Sequence, residues 1–123
     1  MILKDSFFRV KNFCPTEMGF DYVIELNPEH FIYRAHFPEI PITPGVCIIQ
    51  IIKELLVEIL QREIFLKKIH NVKFLNIINP LEYREITFSI SISTEDKDTH
   101  KINAIVYNKD NKFAKLSMLF INK

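Results

Sequence analysis

The sequence predicts an α+β domain, with one long buried helix wrapped by a curved antiparallel sheet. Three observations carry this expectation. An apolar run opens directly after Thr43-Pro44-Gly45 and keeps helical character to about Arg62. Four segments of strand character follow it, and three shorter ones precede it. Strands, one long helix, then strands again is a layered arrangement in which the sheet covers the helix.

Phe7–Phe13 and Phe20–Leu26 read as strands, the second with alternating polarity. Asn27-Pro28-Glu29-His30 is a turn signal, and Phe31–Ala35 reads as a short strand making a hairpin with its predecessor. Three prolines lie in His36–Pro44. This predicts an extended loop, because proline fixes its own φ and restricts the residue before it. Thr43 is placed to cap the helix, with Pro44 at its first position. At 1.5 Å per residue the helix is roughly 25 Å long. Val46, Cys47, Ile48, Ile49, Ile51 and Ile52 make its first two turns apolar almost all round, which predicts burial on most sides. Ile69–Ile78, Glu85–Ser93, Lys101–Tyr107 and Phe113–Ile121 read as the remaining strands, with polar turns at Thr94–Thr99 and Asn108–Asn111. The alternation Ile86, Phe88, Ile90, Ile92 marks a half-buried face. Such a sheet leaves its edges open, and pairing with a second copy is the natural remedy.

A chain of 123 residues fits one domain, residues 1–123, and shows no linker or repeat. Sixteen basic and fifteen acidic residues give a net charge of +1, which provides no broad electrostatic footprint for nucleic acid. No apolar run is long enough to span a bilayer. Cys14 and Cys47 form no CxxC pair, and no His/Cys cluster has zinc spacing. Buried or half-buried thiols in a cytoplasmic, reducing setting are expected, with neither a metal nor a cofactor. His30, His70 and His100 have no supporting pattern and read as surface or turn residues.

His36-Phe37-Pro38, followed by Pro41-Ile42-Thr43-Pro44-Gly45-Val46 and the apolar helix, resembles the active-site signature of 3-hydroxyacyl-(acyl-carrier-protein) dehydratases of the hot-dog fold. The remainder matches in element order rather than in motif. The resemblance implies a homodimer, or a trimer of dimers, with a tunnel at the subunit interface. It also implies an acyl carrier protein or CoA thioester as the substrate's carrier. Pro44, Gly45, Val46 and Phe37 are the expected substrate-binding residues.

The chemistry explains the grouping. Dehydration removes a proton from C2 of the acyl chain and water from C3. Histidine titrates near neutrality, so His36 suits the base. Negative charge gathers on the thioester carbonyl, where the Gly45 N–H, unbonded in a first helical turn, can donate. The family's proton donor to the leaving hydroxyl is a carboxylic acid fourteen residues after the histidine, reaching the site from the partner subunit. Here that position is Gln50. An amide hydrogen-bonds a hydroxyl but does not protonate it. Glu54, one helical turn further on, is the alternative donor, directly or through water; its structural alternative is pairing with Lys53, His36 or a cross-subunit group. His36, Gln50 and Glu54 are therefore the candidate catalytic residues.

Ala35 and Glu39 stand where glycines are common in the family, implying an altered loop path. Phe31, Tyr33 and Phe37 suit an acyl tunnel or ordinary core packing. Lys53, Arg62, Lys67 and Lys68 suit either an acidic carrier protein or a solvated helix end. Two other functions are open on this fold: a subunit that binds acyl carriers without turnover, and a thioesterase in which water attacks the carbonyl held by Gly45.

Overall fold

A computed structural model describes residues 2–36 and 39–123. Six strands form one antiparallel sheet: β1 (Phe8–Pro15), β2 (Gly19–Leu26), β3 (Ile64–Phe74), β4 (Glu85–Asp96), β5 (Thr99–Asn108) and β6 (Asn111–Asn122). Two helices, α1 (Phe31–His36) and α2 (Gly45–Leu60), lie between β2 and β3. The strand order is β1-β2-β4-β5-β6-β3, so β1 and β3 are the edges.

The register shows why alternation predicts the sheet so well. Tyr22, Phe88, Val106 and Ala114 occupy one cross-strand row, and Ile90, Ala104 and Leu116 another. All seven are buried. They line the face that meets α2, which buries Cys47, Ile48, Ile51, Ile52, Leu55 and Leu56 at helical spacing. A buried side chain of this size contributes about 1.5–3 kcal/mol relative to an exposed one. At its other end α2 stops on Gln61, which takes a left-handed conformation and donates its backbone N–H to Val57.

Several expectations need correction. Phe31–His36 is a helix, not a strand in a hairpin: neighbouring Ile32 and Tyr33 are both buried, which a strand with one buried face does not do. His30 fixes its start, because His30 Nδ1 accepts the Ile32 N–H at 3.1 Å. Thr43 does not cap α2. The capping position is Pro44, without a side-chain hydrogen bond, and Gly45 is the first helical residue. Burial of the first two turns is one-sided, since Val46 is 71 % exposed. β3 begins at Ile64 rather than Ile69, and it ends at Phe74. Register shifts at Leu66/Lys68 and Ile69/Asn71 break its alternation. β4 runs on to Asp96, leaving only a tight turn before β5.

Cys47 is buried as expected, but Cys14 on the edge strand is exposed. His100 is not a surface residue. It is 5 % exposed, with Nε2 at 2.8 Å from Asn122 Oδ1 and Nδ1 at 3.2 Å from Thr94 Oγ1. These bonds join the β4–β5 turn to the end of β6.

Candidate active site

The expected site residues lie on α1, on the approach to α2 and along α2. His36 closes α1 and is exposed there. Phe37 and Pro38 lie outside the described residues, so the Phe37 expectation has no structural counterpart. The chain is held again at Thr43, whose backbone N–H donates to the Ile78 carbonyl at 2.9 Å. The Thr43 hydroxyl, freed from capping, meets the Tyr33 hydroxyl of α1 at 3.0 Å. Burial pushes the Tyr33 phenol well above its ordinary range, so it stays protonated and available as a donor. One side-chain bond thus ties the helix that carries His36 to the residue two before Gly45.

Gly45 opens α2, and among the described residues no carbonyl accepts its N–H. Its bare Cα faces the ring of Phe74, where an added Cβ would come within 2.6 Å of Cζ. Ile42, Thr43, Gly45, Ile48, Phe74 and the Leu75–Ile78 segment enclose a groove of about 260 Å³. It is mainly apolar, with the start of a helix at one wall. Such a wall offers unpaired N–H groups and the positive end of the helix dipole to a ligand carbonyl. Pro44 precedes it, and Val46 stands exposed on the next position of α2.

Gln50 and Glu54 lie further along α2, in a second groove of about 320 Å³ shared with Ile2, Lys4, Lys53, Val57 and Glu63. One chain therefore does not bring Gly45 and Gln50 into the same cavity. Among the described residues, the bonds of Glu54 go elsewhere than to Lys53 or His36. Its Oε2 accepts the Leu3 N–H at 2.8 Å and the Gln50 Nε2–H at 2.9 Å, and its Oε1 accepts the Lys4 N–H at 2.8 Å. A carboxylate with three donors on it serves as an acceptor. Leu3 is buried in the core, and Lys4 Nζ pairs with Glu58, which raises the Lys4 pKa. Sequence reasoning missed this N-terminal anchor. Its one signal is the apolar Leu3 ahead of Lys4-Asp5.

A larger groove of about 410 Å³, lined by Val10, Phe13, Phe20, Tyr22 and Ile59 with the Lys4–Glu58 pair, lies away from the motif. Its size does not make it the site, since no described residue of the His36–Val46 motif lines it. No group of three metal-ligating side chains occurs among the described residues. No described helix is long and apolar enough to cross a membrane.

Residues 14–116 match the family described as ApeI-like, ApeI dehydratase, a span that includes both grooves' helix and the whole His36–Val46 motif. The chain belongs to the ApeI-like dehydratase family. Solved structures agree on the fold. The dehydratase heterocomplex ApeI:P from Xenorhabdus doucetiae superposes with a TM-score of 0.72 at 19% identity, covering 92% of this chain and 96% of that one. An uncharacterized protein from Erwinia carotovora subsp. atroseptica gives 0.71 at 14% identity, covering 92% and 94%. The BH2602 protein from Bacillus halodurans, solved with CoA, gives 0.63 at 11% identity, covering 91% and 73%. Curated proteins yield no match. This ApeI-like chain has the hot-dog architecture expected from its motif.

Proposed function

We propose that this chain acts on 3-hydroxyacyl thioesters, dehydrating them to trans-2-enoyl thioesters. The observation that carries the reading is the unbonded Gly45 N–H, set at the wall of an apolar groove in a chain of a dehydratase family. His36 takes the C2 proton. The Gly45 N–H stabilises the oxygen of the resulting enolate. The C3–O bond then breaks, and the departing hydroxide takes up a proton and leaves as water. Gln50 binds the hydroxyl but has no proton to give, so solvent supplies it. General acid catalysis is worth about 10²–10⁴-fold, and turnover is expected to be slower by that order.

The working unit is a pair of chains. β3 is an edge strand, bonded to β6 on one side only, whose inner face leaves Leu66 37 %, Ile69 45 % and Phe74 52 % exposed. A second copy paired along β3 covers these residues and brings Gln50 of one chain toward Gly45 of the other. The carrier is an acyl carrier protein or CoA, met by Lys53, Arg62, Lys67 and Lys68. Two unpaired thiols fit a cytoplasmic setting. A second reading, a subunit that binds acyl carriers without turnover, is favoured by the engagement of Glu54 with Leu3, Lys4 and Gln50.

The deciding experiment supplies a 3-hydroxyacyl thioester and follows enoyl absorbance and free thiol together. Slow enoyl formation that disappears in His36→Ala is the expected result. Thiol release without enoyl product assigns thioesterase chemistry instead. No product of either kind, with thioester still bound, assigns the binding subunit.

A further inference from the structure

From the hydrogen bonds of α2 we infer that Glu54 is a positioning residue: it holds the Gln50 amide so that its carbonyl oxygen is the limb presented to the 3-hydroxyl of the acyl chain. This rests on the proposed reading of the site and goes further, since it says what Gln50 recognises. A carboxylate only accepts hydrogen bonds, so the Gln50 atom 2.9 Å from Glu54 Oε2 must be the NH₂ nitrogen. The orientation follows from the chemistry of the pair. The carboxylate is itself held, because Leu3 N and Lys4 N each donate to it at 2.8 Å. A fixed carboxylate therefore fixes the amide plane.

The carbonyl oxygen lies on the opposite limb of that plane. It has two lone pairs, so one bond to it still leaves a place for a ligand hydroxyl. The site thus recognises a hydrogen-bond donor at C3 and discriminates against an acyl chain without one. This arrangement binds the hydroxyl in its protonated ground state, and it gives Glu54 a role other than the acid's.

The test measures binding by calorimetry in a His36→Ala background, so that no turnover occurs. The ligands are a 3-hydroxyacyl-CoA and the saturated acyl-CoA of the same length. The parent is expected to bind the hydroxylated thioester about tenfold more tightly. Glu54→Gln retains one oxygen to accept from the N-terminal segment but frees the Gln50 amide to turn, and the preference is expected to fall below threefold. A merely structural Glu54 weakens both thioesters alike and leaves their ratio unchanged, which overturns the inference. Gln50→Met leaves the Glu54–Leu3–Lys4 bonds in place and serves if Glu54→Gln does not fold; a preference surviving in it overturns the inference equally. Equal binding of both thioesters by the parent overturns it while leaving the thioester reading intact. Failure to bind either one overturns both.

Discussion

The Tyr33 hydroxyl and Thr43 Oγ1, 3.0 Å apart and both buried, are the side-chain link between α1 and the approach to α2. Removing either partner leaves the other without a bond in an apolar setting. Tyr33→Phe and Thr43→Val are each expected to cost about 1–3 kcal/mol in chemical denaturation. The double variant should cost less than the sum, with a coupling energy of about 1 kcal/mol. Because the same link ties α1, which ends at His36, to the residue two before Gly45, enoyl formation should fall in each single variant at temperatures where the protein stays folded. Strict additivity of the stabilities would show that the hydroxyls do not interact.

Gly45 and Phe74 offer a way to separate packing from chemistry. The Phe74 ring end is half exposed and can move, so Gly45→Ala should cost no more than about 1–2 kcal/mol despite the 2.6 Å approach. Adding Phe74→Leu should recover most of that stability. Activity should not recover with it, because the added methyl still narrows the groove through which a ligand carbonyl approaches the Gly45 N–H. Thermal melts and enoyl assays on the same three samples check this. Joint recovery of both would reduce Gly45 to a packing residue.

His30 predicts a pH dependence of stability. Its ring packs against Phe7 and Phe31, and burial lowers its pKa from the ordinary value of 6.5. The unfolded chain therefore binds more protons below pH 6.5 than the folded one does. The contribution is full above pH 6.5 and is lost as pH falls through the lower folded value. Protonation also removes the acceptor that Nδ1 offers to the Ile32 N–H. His30→Asn keeps a capping acceptor without the titration. Melting temperatures between pH 7.5 and 5 should fall more steeply in the parent than in this variant. Parallel curves would exclude the effect.

How much of this was legible in the sequence follows from particular residues. β2, β4, β5 and β6 are central strands with one face on the core, so Ile86, Phe88 and Ile90 had to alternate with polar neighbours. β3 was harder to place because edge strands escape that constraint, and its two register shifts spoil the period. α1 was misread because six residues carry too few turns for periodicity to decide, and its cap is a histidine, outside the usual capping set. The His36–Val46 motif was readable because its prolines and glycine make specific backbone demands. The partner of Glu54 was not: backbone amides 50 residues away leave no trace in side-chain pattern.

The exposed inner face of β3 makes self-association testable. Ile69 lies opposite Met118 on that face and is 45 % exposed. Ile69→Lys places a charge where a second copy would pair. The parent is expected to sediment as a dimer or larger species at micromolar concentration, and the variant as a monomer with unchanged far-ultraviolet dichroism. Enoyl formation should disappear with the dimer. A parent that sediments as a monomer and still turns over would contradict the two-chain site.

The position of Gln50 yields the sharpest chemical prediction. Gln50→Glu places a carboxyl within hydrogen-bonding distance of Glu54, whose own oxygens are held by the Leu3 and Lys4 N–H groups. Two carboxylates so close do not both ionise at neutral pH, and because the Leu3 and Lys4 N–H groups favour the charged form of Glu54, the proton settles at position 50. The variant then carries a carboxylic acid where the resemblance places the proton donor. Enoyl formation should rise by about 10²-fold or more over the parent. Its rate should decline as pH rises and the shared proton is lost. The pair titrates as a unit, so the measured value belongs to both residues. A variant no faster than the parent would mean that the hydroxyl of the substrate never meets the side chain at position 50.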